Sequence, residues 1–269
     1  MDTLAAVLEH DHFTYAWVNP LAGLAFAVAG SYLGLSAARY ARAADTRTGR
    51  FRWMLLASLA IGGIGIWMMH FIAMIGFTVT DRDLRYHVGL TAASFALAVL
   101  AVGIGLSVAG TRGAGWPRLV SGGLVCGAGV AGMHYPGMAA ISPSGTVRYD
   151  TDLVLASVAI AVAAATAALR FTAVVDRRGS MAAAASVMSV AVVGMHYTGM
   201  AAVRIESSPR TGGAEGIGPL ALMLPILLLA LVAILGLVLC VLNAPNPDRR
   251  DEAAAADDPA VGLANAARP

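Results

Sequence analysis

The chain has no lysine, only two cysteines and little charge of either sign: of 269 residues, 13% are charged and 58% are hydrophobic. So little charge excludes an ordinary soluble domain, in which about a quarter of residues are charged. A net charge of +2 also excludes a nucleic-acid binder held by a basic surface. Cys126 and Cys240 both fall inside apolar runs, which reads as two packed thiols rather than a disulfide framework or a thiolate metal cluster. The first eighteen residues lack a basic start and a small-residue cleavage site, so they do not read as a secretory signal.

What fills the chain is apolar sequence. A bilayer core about 30 Å thick requires roughly 20 apolar helical residues, and seven runs meet that need: 19–38, 53–77, 88–110, 119–141, 153–175, 180–203 and 219–242. The expected fold is all-α: a polytopic membrane protein of seven transmembrane helices, built from three helical hairpin repeats plus a seventh helix. Residues 1–18 read as an extracytoplasmic segment, 19–203 as a six-helix membrane domain, 204–242 as an outer loop with the seventh helix, and 243–269 as a disordered cytoplasmic tail without a fused output domain. Glycines at Gly30 and Gly34, Gly62, Gly63 and Gly65, and Gly123 and Gly127 are placed for close helix packing in lipid.

Arginine orients the bundle. Arg39, Arg42, Arg47, Arg50 and Arg52, then Arg112 and Arg118, Arg177 and Arg178, and finally Arg249, Arg250 and Arg268 fall on one side. Arg82, Arg85, Arg148, Arg204 and Arg210 fall on the other. The positive-inside rule puts the first group in the cytoplasm and the amino terminus outside.

One short pattern occurs three times. Met69-His70-Phe71, Met133-His134-Tyr135-Pro136 and Met195-His196-Tyr197-Thr198 are each followed by a methionine four residues after the histidine, at Met74, Met138 and Met200. The histidines stand 64 and 62 residues apart, which places all three on helices running in one direction, at one depth near the outer face. Residues four apart on a helix are separated by about 40° and a rise of about 6 Å, so each histidine shares a face with its trailing methionine. Of the twelve methionines, these six keep the same two offsets from the histidines, which gap filling alone does not explain.

Ionisable groups inside a membrane segment point to function. Three imidazoles and up to six thioethers, with no acidic residue in any copy, suit copper better than zinc, magnesium or calcium. The ligand set is therefore His70, His134 and His196 with Met74, Met138, Met200, Met69, Met133 and Met195. Haem is the alternative, although two axial ligands leave one histidine over. His10 and His12, on the same outer side, are secondary candidates to cap the pocket. Tyr135 and Tyr197 are candidates for a supporting role or for interfacial anchors. Pro136 removes one helical donor and is expected to kink its helix near His134. No nucleophile and base pair stands in the apolar runs to define an enzyme.

These three copies resemble the MHYT domain, an integral membrane sensor family named after the motif. The resemblance implies a protein of the bacterial cytoplasmic membrane that binds copper through the motif and senses a diatomic gas (oxygen, carbon monoxide or nitric oxide). It also implies signal transduction to cyclic-di-GMP, kinase or DNA-binding modules, which in this chain means a separate cytoplasmic signalling protein. A copper-handling transporter or metal-storage protein is the competing reading. Phe71 and Pro136 replace the tyrosine and the threonine of the motif, so neither offers a side-chain oxygen. A fluorescent protein fused after residue 243 is expected to fluoresce and an alkaline phosphatase fused there to be inactive; the reverse pattern overturns the orientation.

Overall fold

The structure, a computed structural model, describes residues 10–11, 17–75, 78–79, 85–109, 114–139, 145–207 and 216–244. Among these are seven long helices: α1 (Val18–Ala43), α2 (Arg47–Ile75), α3 (Val88–Ala109), α4 (Trp116–Ala139), α5 (Thr151–Val174), α6 (Arg178–Ala201) and α7 (Pro219–Asn243). Six are long and apolar enough to cross a membrane by themselves. The exception is α4, where glycine fills six of 24 positions and dilutes the hydropathy. Polar residues such as Ser58, Ser94, Ser157 and Ser189 are buried, whereas Leu220, Leu224, Leu228 and Leu235 of α7 are exposed. That inversion is what a lipid solvent requires, because polar groups must find partners inside.

Helices α1 to α6 close a ring, each packed on its chain neighbour and α6 packed back on α1, while α7 lies outside against α1 and α2. Glycine sets the spacing. A Cβ on Gly30 would lie 2.5 Å from the Ala60 carbonyl oxygen of α2 and closer still to the Gly65 nitrogen. On the far side of α2, a Cβ on Gly62 would lie 2.7 Å from the Ala98 carbonyl of α3. Backbones therefore touch directly, which is how helices cohere where apolar side chains gain nothing over lipid tails.

Two features were not legible beforehand. Within α2 the stretch Leu59–Met68 is wound as a π-helix, with three glycines among its ten residues. Hydrogen bonds spanning five residues rather than four widen the turn and change the direction in which α2 presents the residues that follow. At the other prominent irregularity, Pro136, the helix runs on to Ala139.

The second feature is a set of ties at the two ends. On the side where α2, α4 and α6 finish, β1 (His10–Asp11) pairs with β2 (Thr78–Val79), and β3 (Gly145–Tyr149) pairs with β4 (Val203–Ser207), both antiparallel. Tyr86 and Ile217 exchange backbone hydrogen bonds of 2.9 and 3.2 Å. Gly216, next to that bridge, has φ 125°, and a Cβ there would meet the Tyr86 carbonyl at 2.6 Å, so only glycine fits. Burial pushes the Tyr86 phenol up. At the opposite end the buried Arg42 guanidinium donates to the Thr172 and Val175 carbonyls at the carboxyl end of α5 and pairs with Asp176. A cation there also complements the helix dipole.

Replacing Gly30 by alanine is expected to lower stability by about 1–3 kcal/mol, the usual cost of overpacking. Gly23→Ala, whose Cβ would sit at an ordinary 3.5 Å from Met69, is expected to be neutral. Thermal unfolding in detergent compares the two, and equal midpoints would remove the close-packing argument.

Candidate metal centre

The carboxyl-terminal parts of α2, α4 and α6 bring His70, His134 and His196 together, each 2% exposed or less. His70 lies two residues past the π segment, so the wider winding decides where its ring points. The rings stand edge to face, with centroids 5.0 Å apart for His70 and His134, 5.0 Å for His70 and His196, and 5.2 Å for His134 and His196. It is the Nδ1 atoms that converge: His70 Nδ1 lies 3.1 Å from His196 Nδ1 and 3.3 Å from His134 Nδ1.

Three nitrogens facing one point have the arrangement of a donor set that could hold a cation. One ion at about 2.0–2.1 Å from each would hold them about 3.3–3.6 Å apart, in tetrahedral or trigonal geometry. The observed separations meet that span within a few tenths of an ångström, and the three ligand atoms all lie within 4.8 Å of one another.

The far side of each ring is equally informative. His70 Nε2 faces Gly137 of α4, where a Cβ would stand 2.8 Å away, and His134 Nε2 faces Gly199 of α6, where a Cβ would stand closer still. Each imidazole thus leans on the glycine three residues after the next helix's histidine. Neither Nε2 has a hydrogen-bond partner. A metal-bound histidine usually donates its other N–H to a carbonyl or carboxylate; here glycine packing takes over the task of aiming the ring. The signal stood in the sequence, since Gly137 and Gly199 share one offset from their histidines, while Ala73 holds that place in the first copy.

The methionines divide. All six are buried. Met69 leans on Gly23 of α1, and Met195 lines a chamber inward of the histidines. Met74, Met138 and Met200 sit one helical turn outward of the triad. The aromatic residue after each histidine packs edge-on against its ring at 4.9 to 5.1 Å. Tyr135 extends its hydroxyl to Ser157 Oγ at 2.6 Å. Phe71 instead packs between Trp67 and Tyr86, at 4.7 and 6.3 Å, with no hydroxyl to satisfy. Trp67 in turn donates to Ser94 Oγ at 3.0 Å. His87 is exposed, and its carbonyl accepts from Thr91 N in the first turn of α3. His10 belongs to the short β1 strand, opposite Val79; His12 and the tail beyond residue 244 lie outside the described residues.

Gly137→Ala and Gly199→Ala are each expected to displace an imidazole and weaken metal binding by roughly 10–100-fold, the scale of a lost orienting contact. Ala73→Gly is expected to leave binding intact. Metal titration of detergent-purified variants reads this out, and unchanged affinity in both glycine variants would refute the packing role.

Three segments of the chain, 63–122, 127–185 and 190–255, match the MHYT family, described as a bacterial signalling protein N terminal repeat. Each matched segment begins on a histidine helix and includes the helix after it. The bifunctional diguanylate cyclase/cyclic di-GMP phosphodiesterase MucR of Pseudomonas aeruginosa is 38% identical over 229 residues, 82% of this chain and 33% of that protein. Signaling protein YkoW of Bacillus subtilis is 30% identical over 76% of this chain and 26% of its own length. The cyclic di-GMP phosphodiesterase NbdA of P. aeruginosa is 34% identical over 56% of this chain and 20% of its own. The chain thus spans a third or less of these relatives, and no solved structure matches it. Three matched repeats across most of its length establish that this chain belongs to the MHYT family of membrane signalling domains.

Proposed function

We propose that the protein is a copper-binding sensor of the bacterial cytoplasmic membrane, with its amino terminus outside, that passes its signal to a separate cytoplasmic protein. The single observation that supports the metal is the convergence of three buried Nδ1 atoms at 3.1 and 3.3 Å. Neutral nitrogen donors backed by buried thioethers favour copper. They also avoid placing a carboxylate in hydrocarbon. A haem fits less well, because its two axial rings must be held apart on opposite faces of a macrocycle, whereas these rings touch.

His70, His134 and His196 would hold the ion, with Met74, Met138 or Met200 available from the outer side. Copper so held supplies an open coordination position for a diatomic gas such as oxygen, carbon monoxide or nitric oxide. The chain's own residues do the rest. The glycine-backed rings transfer any change in their spacing to α2, α4 and α6, and a signal requires that the ligand favour one helix arrangement over another. Relatives named for cyclic di-GMP turnover support an output of signalling kind.

A copper carrier is the second reading. It is favoured by the three sulfur side chains, Cys126, Met188 and Met195, that line the chamber inward of the triad.

Elemental analysis with an absorption spectrum on purified protein tests the proposal. Wild type is expected to hold copper, and His134→Ala, with helicity unchanged by circular dichroism, is expected to lose it. Equal copper in both would overturn the site.

A further inference from the structure

Inward of the histidines, the ring of helices encloses a chamber of about 60 Å³. Its outer end is lined by Ile66, Val130 and Val192, each four residues before a histidine of the triad, so it begins one helical turn below the imidazoles. Its inner end reaches Thr172, whose carbonyl Arg42 holds. We propose that this chamber binds a small neutral apolar molecule taken up from the hydrocarbon of the bilayer.

Size is the first argument. About 10–15 Å³ on this measure admits one water, so the chamber takes a guest of several heavy atoms. Chemistry is the second. The Thr172 hydroxyl donates to the Leu169 carbonyl at 2.8 Å, and Cys126 Sγ donates to the Ala101 carbonyl at 3.3 Å. With those donors engaged, Ser31 is the one further hydroxyl among the lining residues and the other walls are aliphatic and thioether, whereas a buried water needs two to four polar partners. A site of that kind stays dry and takes apolar guests.

Access is the third argument. The less buried wall residues, Ala164, Ala165 and Ala168 on α5 and Val192 on α6, place the mouth between those two helices. Only 17% of the most apolar window of α5 is buried, so the mouth opens towards lipid. Apolar molecules concentrate there, and no aqueous path is required. A guest inside would touch the layer that spaces α2, α4 and α6 one turn below the triad, and it would do so whether or not a metal is bound.

Xenon is the probe. Crystals of the full chain grown from a lipid phase and pressurised with xenon are expected to show an anomalous peak in the chamber. The peak is expected to persist in His134→Ala, which separates this proposal from the metal site, and to vanish in Ala165→Leu, which fills the space. A wild-type chamber without xenon, while xenon marks other apolar grooves of the same crystals, would overturn the proposal. So would ordered water, a lipid chain end or a metal bridging Cys126, Met188 and Met195 in its place, or a peak that survives Ala165→Leu. Should Ala165→Leu fail to fold, the wild-type crystals decide alone.

Discussion

Three imidazoles packed against one another inside hydrocarbon impose the constraint around which the remaining structure is arranged. A polar ring without partners is costly in such a medium. Here the His70 Nδ1 lies 3.1 Å from the His196 Nδ1 and 3.3 Å from the His134 Nδ1. Nitrogens this close either share a proton, as neutral tautomers allow, or face a cation set between them, and the packing that brings them together suits both arrangements. Two of the rings, His70 and His134, have glycines behind them, which let a neighbouring helix's backbone press directly on the imidazole.

The same close approach links the centre to the rest of the bundle. Glycine contacts between α1 and α2, and between α2 and α3, leave little slack for independent movement. Strand pairs and the Tyr86–Ile217 bridge bind the segments at the histidine end to one another, so the histidine ends are held as a unit. At the inner end, Arg42 of α1 holds the last carbonyls of α5. Between these two fastened ends lies the chamber.

Pseudo-three-fold repetition is imperfect, and the departures have local causes. Phenylalanine stands at position 71, where the ring packs against Trp67 and Tyr86, while Tyr135 in the second copy reaches Ser157 through its hydroxyl. Among the described residues the π segment is found in α2 alone. Ala73 stands where the other copies have glycine. The first repeat is thus the one whose histidine is aimed by a distorted helix, and it is also the one against which α7 packs.

Much of this was readable from the chain. The limits of the long helices came within six residues of the apolar runs, because run length and hydropathy are local properties. The shared depth of the histidines followed from their spacing and from the direction of alternate helices. The small-residue contacts at Gly30, Gly34, Gly62, Gly123 and Gly127 were equally legible, and the structure places each against a neighbouring helix. The strand pairs were not, since their partners lie more than fifty residues apart, in short segments without a clear alternating pattern.

Sequence alone therefore determined the number of long helices, their direction and the identity of the groups brought to one level. Tertiary structure decided which nitrogen faces inward, which glycine supports which ring, where the π winding turns His70, and where the interior is left unfilled. The physical reason is that a helix and its depth in lipid are set by its own residues. The aim of a side chain is set by the distance to a neighbouring helix some sixty residues away, and that distance exists only once the ring has closed.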